Sequence, residues 1–167
     1  IVNEYTFLTS SASIGATTVT VQNSSLNSSA RFSGSLEPGD LVMVYNVMGV
    51  EIKGSSDPLE PAAALPIDNS WGEILDYRDV GFYEFKEVKS ILSPTQIEFT
   101  CALVYNHGIS AFNEKVMIVR VPRYSSLTIP AGATLTCDSW NGSIGCVVVF
   151  EVDGLKTING DINVSEL

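Results

Sequence analysis

The sequence predicts an all-β fold: an antiparallel β-barrel or sandwich followed by one or two rungs like those of a β-solenoid, the right-handed β-helix. Val, Ile, Thr, Tyr and Phe recur in runs of four to eight residues bounded by Gly, Pro, Asn and Ser. In the last third, short apolar runs alternate with turn residues, and the pair Thr-Ile comes twice, at Thr128 and at Thr157. These patterns divide the chain into a barrel or sandwich domain, 1–122, and the start of a solenoid-like segment packed on it, 123–167.

The first part contains six predicted strands, at 5–8, 17–21, 41–47, 82–88, 96–104 and 115–121. Segment 41–47 is apolar at nearly every position, which predicts a strand covered on both faces, whereas 82–88 alternates as a half-buried strand does.

Turn residues dominate the connections between these strands. Segment 22–40 is rich in Ser and Asn and is predicted to be a surface excursion that Leu26 and Phe32 pin to the core. Segment 53–70 holds three Pro and is predicted to be a long loop. After it, a short helical turn is expected with three apolar residues on one face, Ile74, Tyr77 and Val80.

The second part supplies candidate inward positions at short intervals, with glycines at the corners between them. The inward candidates are Leu127, Ile129, Leu135, Val147 to Val149, Ile158, Ile162 and Val164. Stacked rungs are one arrangement that buries them. Two further hairpins of the same sandwich are the alternative.

Composition limits the classes of function. The chain has 167 residues, 45% of them apolar and 17% charged, which suits one domain, or one domain with a short appendage, with a real core. A net charge of -10 disfavours partners that are nucleic acids or anionic membranes. No apolar run reaches the roughly 18 residues that a membrane span requires. The chain opens on IVNEYTFL without Met, so we expect an exported, extracellular or outer-surface protein whose signal peptide has been removed.

Three cysteines allow one disulfide. Cys137 and Cys146 flank the turn DSWNGSIG and are the candidate pair, which leaves Cys101 over. The alternative is a pair of buried free thiols. No zinc site is expected, because no C-x-x-C pair exists and His107 is the only histidine.

The sequence predicts no catalytic residues. His107 lies in an Asn-His-Gly turn, so a solvent-exposed loop histidine is expected, and no G-x-S-x-G motif is present. Two acidic pairs could in principle serve glycoside cleavage, which needs paired carboxylates: Glu73 with Asp76, and Glu84 with Glu87. Acids spaced in this way are more typical of the solvent-facing side of a sheet.

Oxygen-bearing side chains near the predicted corners raise the question of calcium. They are Asp138, Asn141, Asp153, Asn159, Asp161 and Asn163. The spacing of calcium-binding loops is absent, so these residues are expected to cap turns and no cofactor is predicted.

Two tryptophans lie in polar, loop-like surroundings, Trp71 and Trp140. An exposed ring there could stack on a sugar, which would make both residues sugar-binding candidates. The alternative is that each ring plugs one end of the β-structure and is buried.

Almost the whole chain resembles one family. The segments NEYTFLTSSASIGATTVTV, GDLVMVYNVMG and VPRYSSLTIPAGATLTCDSWNGSIGCVVVFEVDGLKTINGDINV are similar to the N-terminal module of large secreted proteins of the Bacteroidota type, associated with gliding motility and surface adhesion. The resemblance implies export by the type IX route, further repeats downstream and no catalytic residues. This chain has Cys146 where the family pattern has a second Gly.

Three functions from different classes follow. The first is a non-catalytic adhesin-like module that caps or supports a longer β-repeat structure. The second is an accessory domain of a β-helix enzyme that degrades polysaccharides, and the third is a carbohydrate-binding module. The expected partners are a surface glycan or protein and downstream domains of the same chain.

Overall fold

The structure is a computed structural model that describes residues 1–53, 72–109 and 113–165. These residues contain only strands and irregular segments, so the all-β prediction is confirmed. The strands are β1 (Glu4–Phe7), β2 (Thr18–Thr20), β3 (Leu41–Met48), β4 (Glu51–Ile52), β5 (Ile74–Asp76), β6 (Tyr83–Ser93), β7 (Gln96–Phe99), β8 (Lys115–Val121), β9 (Arg123–Tyr124), β10 (Leu127–Ile129), β11 (Thr134–Leu135), β12 (Glu151–Val152), β13 (Lys156–Ile158) and β14 (Asp161–Ile162).

Six strands form one antiparallel sheet in the order β1-β8-β3-β6-β7-β2. The sheet curls until its edge strands meet, where Leu8 bridges Val21. Two backbone hydrogen bonds flank this bridge, Thr9 N to Thr20 O at 2.9 Å and Gln22 N to Phe7 O at 3.0 Å. The antiparallel part of the prediction is therefore confirmed as a curled sheet.

The concave face of the sheet encloses the main core. Its buried residues are Leu8, Ala12, Val19, Val21, Leu26, Leu36, Val42, Val44, Val88, Ile97, Phe99, Leu103, Val116 and Ile118. Strand β3 contributes to both faces, because Val42 and Val44 point inward while Met43 belongs to a second cluster on the convex face. The prediction that this strand is covered on both faces is confirmed.

The convex face is covered by the segment that follows β11. Met117, Val119 and Val121 of β8 are buried there against Val147 and Val149. Burial on both faces explains why β8 is a nearly continuous apolar run, since alternation is required only where one face meets water.

The excursion 22–40 is anchored as predicted. Leu26 is fully buried in the main core. The Phe32 ring lies under the Arg120 guanidinium, whose carbon is 4.0 Å from the ring centroid, and Arg120 also pairs with Asp40 at 2.7 Å. The long loop predicted at 53–70 lies almost wholly outside the described residues.

The predicted helical turn after residue 73 is wrong. Ile74 begins strand β5, which pairs with β4, and the side chains of Ile74 and Tyr77 are exposed rather than gathered on a buried face. The chain instead reverses at Arg78 and Asp79, both of which have positive φ. Three apolar residues at helical spacing were too short a pattern to outweigh strand pairing.

Beyond residue 122 the pairing becomes parallel. Strands β9, β10 and β11 form a first layer, residues 123–135, and β12, β13 and β14 form a second layer, residues 151–162. Each strand of the first layer pairs with its counterpart in the second: Arg123 with Glu151, Leu127 with Lys156 and Thr134 with Asp161. The offset is about 28 residues, within the range of repeat architectures.

These parallel pairs replace the alternative of two further hairpins, which would be antiparallel. The described residues contain two layers of parallel strands. A solenoid, which needs more layers, remains a prediction. No helix in the described ranges is long and apolar enough to cross a membrane.

Candidate functional site

A groove lies between the convex face of the sheet and the end of the second layer. It encloses about 480 Å³ and is mostly apolar. Its walls include Tyr45, Tyr83, Cys146, Val148, Ile162 and Val164. We refer to it as the outer groove.

The outer groove exists because β6 extends beyond the cover of the convex face. On this strand Glu84, Lys86 and Val88 are buried, whereas Tyr83 and Phe85 are exposed. The two rings meet edge to face with centroids 5.9 Å apart. This pair gives the sheet an exposed aromatic ledge.

The second layer contributes Ile162 and Val164 to the outer groove. Ile162 and Val164 are each 45% exposed, and Ile158 is 51% exposed. In the first layer, Ile129 occupies the position that pairs with Ile158 and is only 5% exposed. At this paired position the inward side chain is covered in the first layer and half exposed in the second, while Leu127 and Leu135 of the first layer are half-buried.

Among the described residues, some backbone amides of the second layer point away from the first layer. The amides of Asp153, Asp161 and Asn163 donate to carbonyl oxygens of the first layer at 2.9 to 3.0 Å. Successive amides of a strand point in opposite directions, so those of Val152 and Ile162 face away from the first layer. A strand edge with such amides is able to accept a further strand.

Residues 136–150, which we call the covering segment, are hydrogen-bonded to the sheet by two side chains. One is Asn3, which directly precedes β1, and the other is Tyr5 within β1. The Asn3 side-chain amide donates to Arg120 O at 2.9 Å and Val149 O at 2.6 Å, and its oxygen accepts from Val149 N at 3.1 Å. The Tyr5 hydroxyl donates to Val147 O at 2.6 Å. Burial raises the pKa of Tyr5 well above its usual value, so this hydroxyl remains a donor at neutral pH.

His107 is fully buried, so the prediction of a solvent-exposed loop histidine is wrong. Its Nδ1 lies 2.6 Å from Asn46 Oδ1 and its Nε2 lies 2.8 Å from Glu84 Oε1. The Asn46 amide nitrogen donates to the backbone oxygens of Asp79 and Asn106, which fixes Oδ1 toward the ring. Both ring nitrogens therefore lie within hydrogen-bond distance of buried side-chain oxygens.

Glu84 is the centre of this buried network. Its carboxylate pairs with Lys86 Nζ at 2.6 Å and accepts the backbone amides of Val104 and Tyr105 at 3.0 to 3.2 Å. Burial alone raises the pKa of Glu84, but hydrogen bonds from Lys86, His107 and the two amides outweigh it and hold the pKa below its usual value. A fully partnered network with a buried ring stabilises the fold and offers no access to a substrate.

The two acidic pairs named from the sequence lie in different surroundings. Glu84 faces the core whereas Glu87 is exposed on the other face of β6, so the expectation that Glu84 lies on the solvent side is wrong. Asp76 is exposed and pairs with Arg78 Nε at 3.2 Å. Glu73 is exposed as well, as a solvent-facing acid would be.

Two of the asparagines near the layer corners cap turns through their own side chains, as predicted. Asn141 Oδ1 accepts the amides of Ser143 and Ile144 at 3.1 Å, and Asn163 Oδ1 accepts that of Ser165 at 2.9 Å. Asp138 instead holds the Arg31 guanidinium with two bonds of 2.6 and 2.7 Å. Within residues 1–53, 72–109 and 113–165, no three His, Cys, Asp or Glu side chains are grouped as metal ligands.

The remaining candidates are tryptophans and cysteines. Trp140 lies in the turn after Asp138 and is 36% exposed, while Trp71 is outside the described residues. Cys137, Cys146 and Cys101 are all free thiols, the first buried and the other two exposed. The disulfide between Cys137 and Cys146 therefore stays a prediction.

A second, polar cleft of about 570 Å³ lies beside β1 and is lined by Glu4, Gln22, Asn23, Ser28, Thr95 and Asp138, among others. Its acids are already engaged, because Glu4 accepts the Ser29 amide at 3.0 Å and Asp138 holds Arg31. It contributes no unpartnered charge to a ligand site.

Comparison with known proteins gives a limited result. No protein-family model matches the chain, and no curated protein matches it. Among solved structures, it is similar to the tailspike protein gp49 from Pseudomonas phage LKA1, with 17% identity and a TM-score of 0.38 over 81% of this chain and 20% of that chain.

Two further tailspikes are similar over 96% of this chain. They are gp61 of Pseudomonas phage phi297, with 18% identity, a TM-score of 0.39 and 20% of that chain covered, and Gp54 of Acinetobacter baumannii bacteriophage AP22 in complex with A. baumannii capsular saccharide, with 16% identity, a TM-score of 0.38 and 24% covered. The chain thus spans about a quarter or less of these proteins. Scores this low establish neither a common fold nor a common ligand.

Proposed function

We propose that this chain is a non-catalytic module of a secreted or cell-surface adhesin-like protein, in which the curled sheet caps and supports a longer stack of parallel strands. The observation that carries the proposal is the contrast between two paired residues. Ile129 in the first layer is 5% exposed, and Ile158 in the second is 51% exposed. At this position the two layers differ in whether the inward side chain is covered.

The physical argument concerns the exposed side of the second layer. Ile162 and Val164 line the apolar outer groove, and Ile158 of the same layer is half exposed. An apolar surface next to unpaired backbone groups favours association with another strand layer. A further layer of parallel strands supplies both the cover and the hydrogen bonds.

The sheet is suited to the supporting role because it fixes the covering segment. Asn3 and Tyr5 hydrogen-bond the backbone at Val149 and Val147, just before β12 begins. These contacts set the position from which the second layer starts. A rigid start protects a repeat stack at the end where it lacks a neighbour.

Extension of the chain by one layer tests the capping role. A second copy of residues 137–165 is placed after Ser165, and hydrogen exchange is followed by mass spectrometry or NMR. We expect the amides of Val152 and Ile162 to become protected, because they face the added layer. Those of Asp153 and Asp161 are the control, since they already donate to the first layer.

Exchange of Val152 and Ile162 at unchanged rates in the extended chain would show that the second layer does not accept a further one, and the capping role would be rejected. The non-catalytic part is tested separately by incubating the chain with pectin- and alginate-like polymers. Cleavage of any of them would contradict it.

Saccharide binding is the second candidate function, favoured by the exposed aromatic side chains. Trp140 is 36% exposed, and Tyr83 on the wall of the outer groove packs edge to face against the exposed Phe85. Aromatic faces of this kind can stack on the apolar face of a sugar ring. The tailspike of phage AP22 was solved in complex with a capsular saccharide, which makes capsular saccharides a reasonable first panel.

Fluorescence distinguishes the two aromatic positions. Titration with a saccharide panel is expected to change tryptophan emission in the parent chain if Trp140 takes part, and not in Trp140→Phe. Tyr83→Ala is the matched variant for the groove and is expected to weaken binding measured by calorimetry if the ledge is used. An unchanged signal and no heat across the panel would remove this candidate.

A further inference from the structure

The turn that joins the two layers brings two cysteines together. Cys146 N donates to Asp138 O at 2.8 Å, and Asn141 N donates to Ile144 O at 3.1 Å inside the turn. Asp138 directly follows Cys137, so the first of these bonds places the backbones of the two cysteines side by side. This is the arrangement in which the Cα atoms fall within the reach of a disulfide.

The two thiols differ in exposure. Cys137 has no exposed surface, and Cys146 is exposed. Burial raises the pKa of the Cys137 thiol, and the neighbouring Cys146 raises it further. Cys146 is therefore the thiol that a reagent in solution meets first.

Cys146 also has room for an adduct, because it forms part of the wall of the outer groove. The volume of about 480 Å³ is bounded by Tyr83 on one side and Ile162 on the other. A small group attached to the sulfur can lie in this space without displacing the turn.

The turn is held in place without a bridge. Arg31 grips Asp138 with two bonds, and Gly145 N points to Met117 Sδ at 3.4 Å. The backbone around the two cysteines is therefore fixed by contacts that do not depend on a disulfide.

We propose that Cys146 is a thiol–disulfide exchange site whose adduct is resolved by Cys137. The oxidant is a small-molecule disulfide. The Cys146 thiolate attacks one sulfur of the reagent, the reagent S–S bond breaks, and one small thiolate leaves. The Cys137 thiolate then attacks the Cys146 sulfur, the mixed S–S bond breaks, and a second small thiolate leaves. The reagent gains the two electrons that the protein thiols lose.

The site is independent of the capping role. The slow step is the second one, because Cys137 must lose its proton in a buried position. The mixed disulfide therefore forms first and is converted to the closed form more quickly as pH rises.

Intact-mass spectrometry with oxidised glutathione tests the assignment, in a Cys101→Ser background that removes the other exposed thiol. We expect a transient species heavier by one glutathionyl group, then a final species lighter than the reduced chain by two hydrogen atoms. Cys137→Ala in the same background is expected to stop at the adduct, and Cys146→Ser to form neither species.

A persistent adduct in the Cys101→Ser chain would show that Cys137 does not resolve it, and the absence of both species would show that Cys146 is unreactive; either result overturns the proposal. Circular dichroism checks that each variant is folded. Peptide mapping of the unmodified sequence gives a second readout, since Cys101 is expected to keep its adduct while Cys146 loses it to Cys137.

Discussion

The curled sheet and the two parallel layers use the same kinds of residue but differ in completeness. In the sheet, Glu84, His107 and Lys86 are buried and each finds a partner. In the layers, Ile129 is covered and its counterpart Ile158 is half exposed. The side chains of the sheet core are covered, whereas the aliphatic side chains of the second layer are about half exposed. Most of the stability of the chain should therefore come from the sheet, and the layers should depend on it.

The largest expected loss of stability comes from removing the carboxylate of the buried network around Glu84. Glu84→Ala leaves Lys86 and His107 without their carboxylate and should lower the free energy of unfolding by about 3–5 kcal/mol, measured by urea denaturation. Glu87→Ala is the control on the same strand, because Glu87 is exposed on the opposite face. Equal midpoints for the two variants would contradict the assignment of the network as structural.

The same substitution at the paired positions Ile129 and Ile158 compares how much each layer contributes to stability. Ile129→Ala removes buried methyl groups and should cost about 2–4 kcal/mol. Ile158→Ala should cost clearly less, because half of that side chain already contacts water. Urea denaturation of both variants measures the difference. A larger loss at Ile158 would mean that the second layer is covered in solution, by a second copy for example.

Acid should weaken the sheet through Glu84. The pKa of Glu84 is lowered in the folded chain from its usual value of about 4.5. Its contribution is therefore fully present above that pH and is lost as pH falls through the folded pKa. Thermal unfolding between pH 7 and pH 3 is expected to show this loss, and Glu84→Gln should show a smaller one.

The pKa of Glu98 is lowered too, mainly by a hydrogen bond from Lys89 and also by one from Ser90, but this pair is on the surface. Its share of the pH dependence should vanish in high salt, whereas that of Glu84 should remain. A pH profile that salt flattens completely would locate the effect at the surface and not in the buried network.

The smallest effect concerns the junction of the two regions. Cys146 adopts φ +55°, a left-handed conformation that favours glycine. Under reducing conditions Cys146→Gly should stabilise the chain by up to about 1 kcal/mol. Cys101→Gly, at ordinary φ, should destabilise it instead. Urea denaturation of the two variants decides whether backbone strain is present at Cys146, since a loss in both would exclude it.

Sequence patterns predicted the sheet better than its buried chemistry. Each of the six strands predicted before residue 122 overlaps a strand of the curled sheet, because runs of β-branched and aromatic residues bounded by turn residues are a local signal. The burial of His107, in contrast, is not determined by its neighbours in the sequence. Its Asn-His-Gly surroundings are typical of an exposed turn, and only the fold brings Glu84 and Asn46 to it.

One signal for this network was nevertheless present. Side chains of a strand alternate between its two faces, so Glu84, Lys86 and Val88, at every second position of β6, lie on the same face. Since Val88 is apolar, this face is expected to be the buried one. The outer groove had no such signal. It depends on how far the covering segment extends across β6, and the position of that segment is set by long-range contacts of Asn3 and Tyr5.

The hydrogen bonds between Asn3 and Val149 bear on the order in which the two regions fold. Asn3 and Val149 are 146 residues apart along the chain, so the hydrogen bond that positions the start of the second layer closes a very long loop. Contacts of such high sequence separation form slowly and late. The layers should therefore dock only after β1 has joined the sheet. Stopped-flow experiments on Asn3→Ala should then show faster unfolding with a refolding rate close to that of the parent chain, and slower refolding would place these hydrogen bonds in the folding nucleus instead.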